Sequence, residues 1–94
     1  MIKLGSIVTW ESQAQGSTKV KTGTVVHILR KEAMRSNMDE WHDVCETFHS
    51  HMIMFDSVSI PVGAKEAYLV SVATTAKARP KLYKPYPSKL KEVK

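Results

Sequence analysis

The chain has 94 residues, 43% hydrophobic and 24% charged, with a formal net charge of +5; this suits one domain with one modest core and argues against general disorder. Its single cysteine, Cys45, excludes an intramolecular disulfide and any cysteine-based zinc cluster within one chain. No apolar run approaches the ~20 residues that span a bilayer.

Met1 to Gly5 leads directly into an apparent strand without the apolar centre of a signal peptide, so a cytoplasmic protein without membrane contact is expected. Ser6–Trp10 reads as the first strand, since Ile, Val, Thr and Trp all favour one, and Gly5 marks a turn before it. Glu11–Gly16 reads as a polar loop. Ser17–Leu29 then holds a longer β pattern with Gly23 inside it, the usual mark of a bulge or sharp bend.

The period changes after Arg30. Met34, Met38, Trp41, Cys45, Phe48 and Met52 are spaced alternately by four and three residues, an amphipathic helical stripe. Asn37 can cap the helix, with Glu40 in the reciprocal position three residues on. The spacing predicts a helix over 38–51 within an inserted segment at about 31–55. Met52–Phe55 and Ser57–Ile60 are short β-compatible pieces, and Pro61–Gly63 is a turn. Ala67–Ala73 is the clearest later strand, with Tyr68, Val70 and Val72 on one face and Leu69 on the other. After a small and basic loop at Thr74–Pro80, Lys81–Lys84 can form a strand. Pro87–Leu90 can form a 3₁₀ turn and Lys91–Val93 a terminal strand, while Pro85 and Pro87 force extended geometry before them.

Short curved strands with one long connector describe a small barrel. Gly5–Trp10, Lys21–Val26, Tyr68–Val72 and Lys81–Leu90 resemble the SH3-like, KOW/Tudor-type layout of small uncharacterised phage and bacterial proteins. The resemblance covers the two ends, roughly half the chain. It implies a barrel of about five strands over residues 1–94, with the helix inserted, whose rim engages RNA, DNA or protein. It also suggests a phage-encoded inhibitor or adaptor acting on a protein of a bacterial host.

Charge is unevenly placed. Residues 77–94 carry seven Lys or Arg against one Glu, a local +6, whereas residues 31–64 sum to −4. Lys77, Arg79, Lys81, Lys84, Lys89 and Lys91, with Lys19 and Lys21 of the second strand, therefore form a candidate surface for nucleic acid or an acidic protein. Lysines offer point charges to phosphates, and Arg79 alone has the fork suited to a guanine edge. Tyr83 and Tyr86 are candidate stacking platforms for single-stranded bases. The plainer alternative is that the tyrosines cap the core and the lysines solubilise the chain. Met34, Met38, Trp41 and Phe48 either pack the helix onto the sheet or offer a face to a partner or a second copy. Trp10 and Trp41 read as core.

His42, Cys45, His49 and His51 are ligand types that zinc accepts, but the usual spacing of a structural site is missing and no metal is expected. Phosphate-loop, dinucleotide and zinc-protease signatures are absent from the sequence, and Cys45 with His49 lacks an orienting group. The expectation is a non-enzymatic protein-interaction module, with no cofactor or small-molecule substrate. Its partner would be a larger protein or a second copy, and nucleic-acid binding through the basic C-terminal segment is the alternative.

Overall fold

Side chains alternate between the two faces of a β-strand, so consecutive buried residues mark a strand covered on both sides. Glu66–Val72 is such a strand. Ala67, Tyr68, Leu69 and Val70 are all buried and divide between two clusters. Ala67 and Leu69 join Leu29, Val44, Val58 and Leu82 on the face under the helix. Tyr68 and Val70 join Val8, Trp10 and Val25 on the other. Full burial of a Leu or Val contributes about 1.5–3 kcal/mol each, so this one strand anchors both cores.

The computed structural model describes residues 2–14, 16–73 and 78–93. Among them the elements run β1 Ile7–Ala14, β2 Ser17–Arg30, a 3₁₀ turn Lys31–Ala33, α1 Asn37–Thr47 and β3 Met52–Ile53. There follow β4 Glu66–Val72, β5 Lys81–Tyr83, a second 3₁₀ turn Pro87–Lys89 and β6 Lys91–Glu92. The strands form one sheet in the order β3-β5-β4-β2-β1-β6, antiparallel except for the parallel β3–β5 pair. No helix among the described residues is long and apolar enough to cross a membrane.

β2 serves two neighbours. Its first half pairs with β1 from Ala14↔Ser17 to Ile7↔Thr24, and its second half pairs with β4 from Thr24↔Ser71 to Arg30↔Glu66. The register shifts between Val25 and His27, so Val26 is an extra residue that bends the strand. Just before the bend, a Cβ on Gly23 would sit 2.6 Å from the Ser71 carbonyl oxygen and 2.7 Å from Val70 Cγ1. Only glycine fits there. The bend accompanies the second core, where Leu90 and Ile2 pack with Trp10 and Tyr83, and the 3₁₀ turn at Pro87–Lys89 lies against β4.

The sheet curls but does not close, which corrects the expectation of a five-strand SH3-like barrel and the family resemblance that suggested it. β3 and β6 are opposite edges of a six-stranded sheet and do not pair with each other. A barrel has one interior, whereas β4 here has a separate core on each face. Two-residue edge strands and a parallel β3–β5 pair leave nothing to complete a closed ladder.

Several local expectations change with it. Glu11–Ala14 continues β1 rather than forming a loop, because pairing with Ser17–Val20 satisfies its backbone. Ser36 caps α1, its Oγ accepting the Asp39 N–H at 3.2 Å, while Glu40 reaches back to the Arg35 N–H at 3.2 Å. The helix ends at Thr47, and its buried centre is Val44. Ser57–Ile60 is not a strand, although Val58 is buried beneath the helix.

Substituting Gly23→Ala is expected to destabilise the fold by on the order of 2 kcal/mol or more, because backbone at Ser71 must move. Urea unfolding measures this, and faster amide exchange along β4 should accompany it. An unchanged midpoint would show that the β2–β4 approach is not the constraint described.

Candidate functional site

The basic residues do not share one face. Arg79 donates from Nε to the Ser50 carbonyl at 3.2 Å and from a terminal nitrogen to the carbonyls of His49 at 3.2 Å and His51 at 2.7 Å. It gathers the carbonyls just beyond α1, where partial negative charge accumulates. Lys84 Nζ donates to the Ser59 carbonyl at 2.7 Å, and burial holds its pKa below the ordinary lysine range, opposed by Asp56. Lys21 Nζ donates to the Tyr83 hydroxyl at 3.3 Å and lies 4.8 Å from the centre of that ring. Lys81 is half-buried in β5, Lys19, Lys89 and Lys91 are exposed, and Lys77 lies outside the described residues.

The two tyrosines also separate. Tyr83 meets Trp10 edge-to-face at 5.7 Å within the second core, while Tyr86 is exposed with Lys89 Nζ 5.8 Å from its ring centre. On α1 and just outside its two ends, Trp41, Met34 and Phe48 pack against the first core, Trp41 edge-to-face with Phe55 at 5.8 Å. Met38 stands 80% exposed at the helix start.

What the structure does bring together is a groove of about 570 Å³ at the β6 end of the sheet. Thr9, Trp10 and Glu11 of β1, Thr18 and Val20 of β2, Ser88 and Lys89 of the 3₁₀ turn, and Lys91 of β6 line it. Sequence reasoning selected Lys89 and Lys91 as binding residues but missed Thr9, Glu11, Thr18, Val20 and Ser88. The available signal was Gly16, whose φ of +80° suits the tight turn between the paired Ala14 and Ser17. Beyond the groove the same sheet face continues through Ile7 and Val93, each about half exposed, with the Val93 N–H donating to the Ile7 carbonyl at 2.8 Å.

The ligand types proposed along the helix do not converge either. His49 Nδ1 lies 3.1 Å from the Glu46 carbonyl and Cys45 is a half-buried free thiol. The side chains that do lie close are His42, Asp43 and Glu46, all exposed. Asp43 is held by Arg35, and His42 Nδ1 is 3.6 Å from Glu46, so this cluster is paired helix surface.

His51 sits beside the Arg79 clamp. Its Nε2 is 3.0 Å from Ser71 Oγ, its ring meets Phe48 edge-to-face at 5.5 Å, and its buried Nδ1 has no hydrogen-bond partner among the described residues. Burial first, and then the Arg79 charge, hold its pKa below the ordinary 6.5. The folded chain therefore resists a proton that the unfolded chain accepts. The contribution of neutral His51 is complete above pH 6.5 and is lost as pH falls from there through the lower folded value. Melting temperature should fall as pH drops below 6.5, and the His51→Gln variant should show a shallower fall. Parallel curves for the two proteins would remove His51 from the acid response.

Comparison of the chain with family models, with curated proteins and with solved structures finds no match. The SH3-like resemblance, overturned by the open sheet, gains no support from these comparisons, and neither do the phage, inhibitor and nucleic-acid descriptions that came with it.

Proposed function

We propose that this chain is a non-enzymatic protein-interaction module whose contact surface is the groove between the β1–β2 hairpin, the Pro87–Lys89 turn and β6. The observation that carries the reading is the composition of that groove. Exposed Val20 (68%) supplies apolar area, Thr9, Thr18 and Ser88 supply hydroxyls, and Lys89 and Lys91 supply charge at the margin. An apolar centre with a polar rim is the usual anatomy of a protein contact. Ile7 and Val93 extend the apolar area along the same face.

A polyanion needs a continuous track of free cations. Arg79, Lys84 and Lys21 each hold a group of the protein's own and Tyr83 packs on Trp10, so among the described residues the basic side chains do not form one continuous free track. The lone thiol of Cys45 fits a reducing compartment, in keeping with a cytoplasmic setting.

Affinity capture from nuclease-treated lysate, with wild type beside Val20→Asp, tests this reading. Wild type should retain a stoichiometric protein that the variant loses while keeping its thermal stability. A salt series with single-stranded DNA, duplex DNA and RNA runs in parallel. Tight nucleic-acid binding that weakens with salt and disappears on neutralising Lys89 and Lys91 would overturn the proposal.

A further inference from the structure

β1 is paired with β2 along its whole length, but β6 covers only Val8 and Thr9 on the other side. Antiparallel ladders alternate, so successive residues of a strand direct their backbone groups to opposite neighbours. The Val93 N–H donates to the Ile7 carbonyl, which places the odd-numbered residues of β1 toward β6. The Val25 N–H donates to the Ser6 carbonyl, which places the even-numbered ones toward β2. Glu11 and Gln13 thus aim their N–H and C=O groups outward. Among the described residues no strand pairs with them.

The cause of this gap is visible in the chain. Continuing the Thr9↔Lys91 register would set Lys89 opposite Glu11. Instead the Lys89 N–H donates to the Tyr86 carbonyl in the 3₁₀ turn, and Leu90 goes into the second core. The chain leaves the ladder directly after the Thr9↔Lys91 pair, and the place it vacates is the groove. An exposed strand edge is a template for another strand, which natural proteins usually cover or charge.

We propose that the Trp10–Ala14 edge of β1 binds an extended acidic segment of a partner protein, which adds to the sheet as a strand in line with β6. This inference rests on the protein-interaction reading and specifies its partner. Main-chain bonds to Glu11 and Gln13 supply the ladder, and alternate side chains of the segment reach the groove with its exposed Val20. Charge selects the segment. Lys89 and Lys91 line the groove against the single carboxylate of Glu11. A second copy pairing through the same edge would bring its own Lys89 and Lys91 to this groove, meeting like charge.

The probe is a short blocked peptide alternating valine with glutamate, beside a twin with lysine for glutamate and a version N-methylated at alternate residues. Amide exchange and backbone shifts of the protein report binding. The Glu11 amide should gain protection with the glutamate peptide, which should bind at least tenfold tighter than its lysine twin at low salt. N-methylation should abolish binding. Lys89→Glu combined with Lys91→Glu should remove or reverse the charge preference. Glu11→Pro removes one outward N–H while leaving the β1–β2 ladder intact, as a strand edge tolerates, and should weaken binding at least tenfold with the β2 amides still protected. The N-methylated peptide gives the same information on the unaltered protein should that variant not fold. Equal binding of both charge twins, or an unaltered Glu11 amide, would overturn the inference. Protection of Glu11 that grows with protein concentration alone would overturn it in favour of a second copy. Loss of lysate capture in Val20→Asp together with an unaltered Glu11 amide would leave the interaction reading standing and remove strand addition only.

Discussion

The approach of β2 to β4 at Gly23 is the contact on which the architecture turns. With no side chain there, the Ser71 carbonyl and the Val70 and Val72 methyls occupy the space a Cβ would take. The same strand then absorbs an extra residue at Val26 and changes neighbour from β1 to β4. A sheet bent in this way covers one face of β4 with its own other end, leaving the opposite face for α1. Two small cores result, sharing β4 as their common wall. Val44, Trp41 and Phe48 can be accommodated on the helix because Leu29, Leu69 and Leu82 face them, and Trp10 is buried because Tyr83 and Leu90 come back over it.

The cations near the C-terminus belong largely to that construction. Arg79 binds three successive carbonyls at residues 49–51, so the segment after α1 is held by a guanidinium nearly thirty residues away in sequence. Three donors from one planar group hold a turn more firmly than a lysine could. Lys84 does the same for Ser59 with a single short bond, and its partial burial shows in its depressed pKa. Tyr68 is the mirror case: burial, and then its bond to Glu66 at 2.7 Å, push the phenol up to about 12. Arg79 and Lys84 close backbone at 49–51 and at Ser59, while Tyr68 ties a side chain within its own strand.

Much of the element order was legible in the chain. The alternation of Tyr68, Leu69, Val70 and Val72, the four-and-three stripe and the proline pair at the 3₁₀ turn all carry a local period or restraint. The strand and the turn lie close to where the sequence places them, while the helix ends at Thr47, short of the expected 51. Closure was not legible, because two short edge strands look the same locally whether or not they meet. The stripe pointed to Cys45 where Val44 is buried, since the two adjacent residues both fit a broad helical face. The groove was hidden for a related reason. Glu11–Ala14 is polar and its strand character comes entirely from pairing across the hairpin, which no window of residues 11–14 can reveal. The charge run misled in the opposite direction, as a count of lysines does not say which carbonyl each one meets.

Both flanks of the sheet depend on one short stretch of the chain. β5 completes one side by pairing with both β4 and β3, β6 completes the other against β1, and both lie within residues 81–92. A chain synthesised from its N-terminus therefore holds β1, β2, α1 and β4 before anything covers the far side of β4 or the second side of β1. Until residues 81–92 are in place, the β4 backbone groups that meet β5 and the β1 groups that meet β6 stand unpaired. Unpaired strand edges are adhesive, so an intermediate lacking β5 and β6 is the form most open to wrong pairing. Joining β6 to β1 closes a loop of more than eighty residues, a contact costlier in chain entropy than the β1–β2 hairpin.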